Sequence, residues 1–266
     1  MLQGRGLKAG EKPDLMNMSS PDAVEEVHRL YIEAGSDIIC TNTLGSSAFG
    51  LRNTGYSPEE VITAAVGIAK RARIAANRDE VSIALDIGPI GEFLEPVGDL
   101  EPEAAYEMFA QQAIAGKKAG ADFAAIETMS DLGEMEIAVR AVIDSTSLPV
   151  LATMTFDKRG YTFMGCAVER FAEMAESMGV SAAGINCSHE PDEMFDVARR
   201  FLSVSGLPFI AKLNAGLPVG NEGAYSVGPE EFARQMEQYA SIGVKIVGGC
   251  CGTTPEHIRA LKGLFS

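Results

Sequence analysis

Basic residues are scarce and scattered in this chain: 22 Lys and Arg stand against 37 Asp and Glu, a formal net charge of −15. Nucleic-acid binders carry a basic patch or stripe, and here the cations occur singly or in pairs, which excludes that class. Long apolar runs are also missing. None approaches the ~20 residues that a membrane span needs. The opening MLQGRGLKAGEKPD has no apolar stretch of the secretory kind, so a cytoplasmic location is expected. Cysteine is sparse, at five in 266 residues. So few in so long a chain do not make a disulfide framework; any that cluster point to metal or thiol chemistry. Histidine occurs three times. None of them reads as a metal ligand: His28 falls within a helical segment, His257 in the first turn of another, and His189, two residues after Cys187, is the one candidate to check.

What is present is a regular alternation. Hydrophobic residues make up 46% of the chain, enough for a full core. Short apolar segments at 36–43, 81–88, 123–129, 149–156, 182–188, 208–214 and 244–251 read as strands buried on both faces, as in parallel sheets. Helical segments lie at 21–34, 58–77, 102–119, 131–144, 167–178, 190–204, 229–242 and 255–265. Several begin on a cap followed by proline, as in Ser57-Pro58-Glu59-Glu60 and Thr254-Pro255-Glu256. Ser57 with Glu60 fits a capping box. Gly35, Gly120, Gly179 and Gly243 close helices and lead straight into strands. The pattern predicts an α/β fold, a TIM (β/α)8 barrel, with an open doubly wound sheet as the alternative. Residues 1–19 do not read as a strand, so the barrel is expected to lack its first strand in this chain. No linker or low-complexity segment divides it.

Barrel enzymes carry their chemistry where strands end and βα loops begin. The unusual residues sit there: Thr41-Asn42-Thr43, Asp86, Glu127-Thr128-Met129, Asn186-Cys187-Ser188 and Gly248-Gly249-Cys250-Cys251-Gly252. Cys187, Cys250 and Cys251 thus fall at the same end of one barrel. Three thiolates suit zinc and leave one tetrahedral position open. The competing readings are buried core cysteines and a dithiol redox pair at Cys250-Cys251. Cys40 and Cys166 have no partner pattern. Glu127 closes an otherwise apolar strand. It is either a partner for a substrate ammonium group or a hydrogen-bonded structural carboxylate. Zinc held by three thiolates carries net negative charge. It is better suited to hold a fourth thiol as a nucleophile than to generate hydroxide.

The motifs NMSSPDAVEEVHRLYIEAGSDIICTNTLGS, DIGPIGEFLEP, FAAIETMSDLGEMEIAVRA, ATMTFDKRGYTFMG, GINCS, LNAGLP and VGGCCGTTPEHIRAL resemble the homocysteine S-methyltransferases. Among these, the homocysteine-binding domain of cobalamin-dependent methionine synthase is the most similar. The resemblance spans 1–266 as one barrel domain. It implies zinc on Cys187, Cys250 and Cys251, homocysteine as methyl acceptor, Glu127 on the homocysteine amine, and Asn42 in the pocket motif. Three features depart from the family, one of them Cys40 beside the TNT motif. His189-Glu190 follow GINCS where a leucine-glycine turn is usual, and the family's opening Asp-Gly motif has no counterpart. No Asp-x-His-x-x-Gly cobalamin motif is present, so the expected donor is methylcobalamin on a separate corrinoid protein. S-methylmethionine or S-adenosylmethionine is the alternative donor, and a non-catalytic zinc-binding module the alternative role.

Overall fold

The computed structural model describes residues 1–219 and 224–265. Seven parallel strands follow one another in chain order across a single sheet: β1 (Ile38–Cys40), β2 (Ser82–Ile87), β3 (Phe123–Met129), β4 (Val150–Met154), β5 (Ala182–Asn186), β6 (Phe209–Leu213) and β9 (Ile246–Gly249). Between them run the helices α3 (Pro58–Ala75), α4 (Pro102–Ala119), α5 (Leu132–Ser145), α6 (Val168–Ser177), α7 (Pro191–Leu202) and α8 (Pro229–Ser241). α2 (Pro21–Glu33) precedes the first strand and α9 (Pro255–Leu264) follows the last. This is the alternation of a (β/α)8 barrel with seven of its eight strands among the described residues. Residues 1–19 hold two short 3-10 turns and the four-residue helix α1 (Met16–Ser19) rather than a strand. The two-residue pair β7 (Pro218–Val219) and β8 (Ala224–Tyr225) is an antiparallel excursion after β6 that the apolar pattern did not announce.

The sequence signals act as anticipated. Ser57 and Glu60 form a reciprocal capping box at the start of α3. At the last helix the box closes differently: Thr254 pairs with His257, whose other ring nitrogen meets the Val227 carbonyl at 3.1 Å. His257 is therefore structural. The expected strand over 36–43 is shorter, because after Cys40 the chain turns, Thr43 N–H reaching back to the Thr41 carbonyl at 3.0 Å.

Two compact units make up the chain. One comprises Met1–Glu127 with Gly133–Leu151, the other Thr128–Leu132 with Ala152–Ser266; Ser266 itself lies outside the described residues. In the first, Ile32, Ile39, Ala69, Ala72, Val81 and Ile83 form a fully buried cluster beneath α2, α3 and the first two strands. In the second, four buried rings form a ladder. Phe156 after β4, Phe171 on α6, Phe201 on α7 and Phe209 on β6 stand 6.1, 6.0 and 4.9 Å apart between successive centroids. Each such ring contributes roughly 1.5–3 kcal/mol by leaving water. The ladder packs α6 and α7 between the end of β4 and strand β6.

Candidate metal centre

The sulfurs of Cys187, Cys250 and Cys251 all lie within 4.8 Å of one another. Cys187 Sγ and Cys251 Sγ are 3.5 Å apart. A tetrahedral zinc with bonds of about 2.3 Å spaces its sulfurs by ~3.8 Å, so the three residues fit a metal with little movement. No disulfide joins any of the five cysteines. This is the one cluster of its kind among the described residues. His189 is not in it; its Nδ1 is 3.4 Å from a Glu193 carboxylate oxygen on the following helix. Cys40 and Cys166 are not members of it either.

The backbone explains why the thiols converge. Cys187 follows β5 in the left-handed region, at φ +58°. Its N–H donates to the Lys212 carbonyl at 3.1 Å. Cys250 N–H donates to the Leu213 carbonyl at 2.8 Å, and Ala215 N–H donates to the Cys251 carbonyl at 2.9 Å. Strand β6 contributes no ligand, yet residues 212–215 are the ruler against which both ligand loops are laid. The turn after the pair needs Gly252, at φ +82°. A side chain there would strike the ring of Tyr225, whose Cγ lies 2.2 Å from where a Cβ would be.

Hydrogen bonds from its neighbours favour the thiolate form of Cys251. Hydrogen bonds from Cys187 first, then Cys250 and Tyr225, draw the Cys251 thiol down to about 3 against the opposing effect of burial. Tyr225 answers in kind: burial, then the negative sulfurs of Cys251 and Cys187, push its phenol up. Tyr225 is a site residue that the sequence reading passed over, and its signal was a lone aromatic in a polar loop.

The end of β3 joins the same floor. Thr128 adopts φ +66°, an outlier for a β-branched residue. Fully buried Asn186 holds it there: Thr128 N–H donates to Asn186 Oδ1 at 2.9 Å, and Asn186 Nδ2 donates to Thr128 Oγ1 at 2.8 Å. Ser188 Oγ accepts from Phe156 N–H at 3.0 Å and donates to the Asn186 carbonyl at 3.1 Å. Glu127, half-buried, is the residue immediately before this locked threonine.

In the other unit, the TNT motif knits β1 to β2. Asp86 N–H donates to Thr41 Oγ1 at 3.0 Å and Thr43 Oγ1 donates to the Asp86 carbonyl at 2.7 Å, so Thr41 supplies the proton in the 2.6 Å contact between the two hydroxyls. Asn42 turns the other way. It donates to the Pro13 carbonyl at 2.7 Å and reaches Asn17 Oδ1 at 3.4 Å, while Asn17 Nδ2 donates to the Asn42 carbonyl at 2.7 Å.

Known proteins decide the family. The profile described as homocysteine S-methyltransferase matches residues 1–265. The chain belongs to the homocysteine S-methyltransferase family. It is 33% identical over 264 residues to a methionine synthase of Mycobacterium leprae, covering 92% of this chain and 21% of that protein. A methionine synthase of Mycobacterium tuberculosis is also 33% identical, over 258 residues, with 22% of its length matched. The chain thus spans about a fifth of these curated relatives. Among solved structures it is similar to the homocysteine methyltransferase MmuM of Escherichia coli in its metallated form, with a TM-score of 0.81 and 22% identity over 98% of this chain and 92% of that one. At that identity the likeness speaks for the fold.

Proposed function

We propose that this homocysteine S-methyltransferase family member is an enzyme that transfers a methyl group to the thiol of homocysteine, giving methionine, with zinc held by Cys187, Cys250 and Cys251. One observation carries the reading: three thiols from two strand ends converge to metal-binding distance in a chain of this family. Bound there, zinc would hold the acceptor's thiol as thiolate and leave it nucleophilic. The three cysteines fill three positions of a tetrahedron and leave the fourth for that sulfur. Glu127 is the residue we assign to the acceptor's ammonium group. The resemblance places this carboxylate on the acceptor's amine, and the threonine after it is pinned by Asn186. Asn42 belongs to the pocket motif by resemblance, and its amide secures residues 13–17 to the end of β1. The family match over residues 1–265 supports treating the chain as one functional domain.

For the donor we propose methylcobalamin on a separate corrinoid protein, because the two mycobacterial relatives are named methionine synthase at 33% identity. S-methylmethionine and S-adenosylmethionine are the competing donors, and turnover with each of the three separates them. The decisive experiment pairs metal analysis with homocysteine calorimetry. Wild type is expected to carry about one zinc and to release about one proton per homocysteine bound near neutral pH. Cys187→Ala, Cys250→Ala and Cys251→Ala should each retain far less metal. Glu127→Gln should keep its metal and bind homocysteine at least tenfold more weakly, in line with the ~1.5–3 kcal/mol of a hydrogen bond to a charged group. Full metal content in all three cysteine variants would end the zinc assignment. Unchanged affinity in the glutamate variant would make Glu127 structural.

A further inference from the structure

Strands β3 and β5 are not neighbours, since β4 runs between them, yet one side chain ties their ends together. Asn186, the last residue of β5, is fully buried. Its Oδ1 accepts the N–H of Thr128 at 2.9 Å, and its Nδ2 donates to Thr128 Oγ1 at 2.8 Å. The orientation is fixed by the backbone N–H, which can meet only the amide oxygen. The chain beyond β4 closes the gap. Thr155 N–H donates to the Met129 carbonyl at 2.9 Å, and Thr155 Oγ1 donates to the Asn186 carbonyl at 3.2 Å. Both strand ends pass through left-handed backbone, Thr128 at φ +66° and Cys187 at φ +58°. Such residues persist only where their surroundings over-determine them. The amide of Asn186 joins the first to the peptide that carries the second.

We propose that Asn186 is a positioning residue that sets specificity: by locking Thr128 to the strand end that bears Cys187, its amide selects a thiol amino acid of homocysteine's length. The inference rests on the function proposed above, in which zinc on the cysteines takes the acceptor's sulfur and Glu127 its ammonium group. Cys187 follows Asn186 by one peptide bond, and Glu127 precedes Thr128 by one. The lock therefore governs the reach from the sulfur grip to the amine grip. A ligand held at both ends is sensitive to that reach, and a misplacement of about 1 Å can cost on the order of 100-fold. Cysteine, one methylene shorter, cannot satisfy both grips at the longer spacing. 4-Mercaptobutyrate, which is homocysteine without its amino group, gives Glu127 nothing to hold, so its binding does not register the spacing. Alanine at position 186 keeps neither bond to Thr128. Glycine at position 128 accepts left-handed backbone without strain but loses the hydroxyl half of the lock.

The test is binding calorimetry on zinc-loaded, purified full chains of wild type, Asn186→Ala and Thr128→Gly. The ligands are homocysteine, cysteine and 4-mercaptobutyrate, and zinc content is measured on each preparation. Wild type is expected to prefer homocysteine to each of the other two by about tenfold or more. Asn186→Ala should keep its zinc and bind 4-mercaptobutyrate within about twofold of wild type, while homocysteine binding weakens about tenfold or more, so that both preferences collapse. Thr128→Gly should shift the preferences the same way. A merely structural role would weaken all three ligands alike, or cost the chain its zinc, and either result would overturn the proposal. Should Asn186→Ala fail to fold, the same reading is taken on Thr128→Gly. If wild type takes up no zinc, or binds homocysteine and 4-mercaptobutyrate equally, the function proposed above falls and this inference with it. If wild type discriminates and both variants match it, this inference alone falls.

Discussion

One buried histidine makes this molecule sensitive to acid. His28 is buried in α2, its Nε2 has no hydrogen-bond partner, and burial lowers its pKa to about 4. An unfolded histidine titrates near 6.5. Between those values the unfolded chain binds a proton that the folded chain refuses, so stability falls as the pH drops from about 6.5 towards 4. Above 6.5 both states are neutral and His28 has no effect on the slope. The full difference is about 3 kcal/mol. Replacing His28 by Leu should flatten the acid limb of a denaturation-midpoint profile over that window. A limb as steep as that of wild type would assign the acid sensitivity elsewhere. Thr128 and Cys187 are sensitive in another way. Both occupy left-handed backbone without being glycine, and both stand at strand ends that the proposed chemistry uses, where stored strain is common.

At the scale of strands and helices, close approach replaces strain as the governing quantity. Gly184 in the middle of β5 is packed so tightly on β6 that a Cβ would lie 2.0 Å from the Ile210 carbonyl oxygen. That neighbour is backbone and cannot step aside. Gly184→Ala should therefore part β5 from β6, costing about 1–3 kcal/mol of stability. It should also weaken zinc retention, because Cys187 hangs from the end of β5. Chemical denaturation and metal content measured on one preparation check both effects. The same elements show what was legible in the sequence. Strand β3 has the bounds that its apolar run, FAAIETM, predicts, and the three cysteines gather as strand-end logic requires. Asn214, whose amide ties the Cys187 carbonyl to the Cys251 N–H, was legible only as the second residue of LNAGLP. Its partners lie 26, 27 and 37 residues away, and three of its contacts are to backbone groups, which leave no mark on residue type. The hairpin bearing Tyr225 escaped for a similar reason: two-residue strands are too short for any periodicity.

In the whole molecule, all three proposed ligands come from the unit formed by Thr128–Leu132 and Ala152–Ser266, so the metal should stabilise that unit directly. A ligand at 1,000 times its Kd adds about 4 kcal/mol to the folded state. For a chain of this size that is about 10 °C in melting temperature. Stripping zinc with a strong chelator should produce a drop of that order, and the drop should vanish in Cys187→Ala. Calorimetry with and without chelator is the measurement. No helix among the described residues is long and apolar enough to cross a membrane. The spacing of the ligands also divides the work of capture. Cys250 and Cys251 are neighbours in the chain, whereas Cys187 and Cys251 are 64 positions apart. In an unfolded chain, closing that loop costs about 4 kcal/mol of entropy, while the adjacent pair remains a ready-made bidentate chelator. Metal would therefore bind the denatured chain weakly through the pair, and folding would act as the latch that brings in the third sulfur.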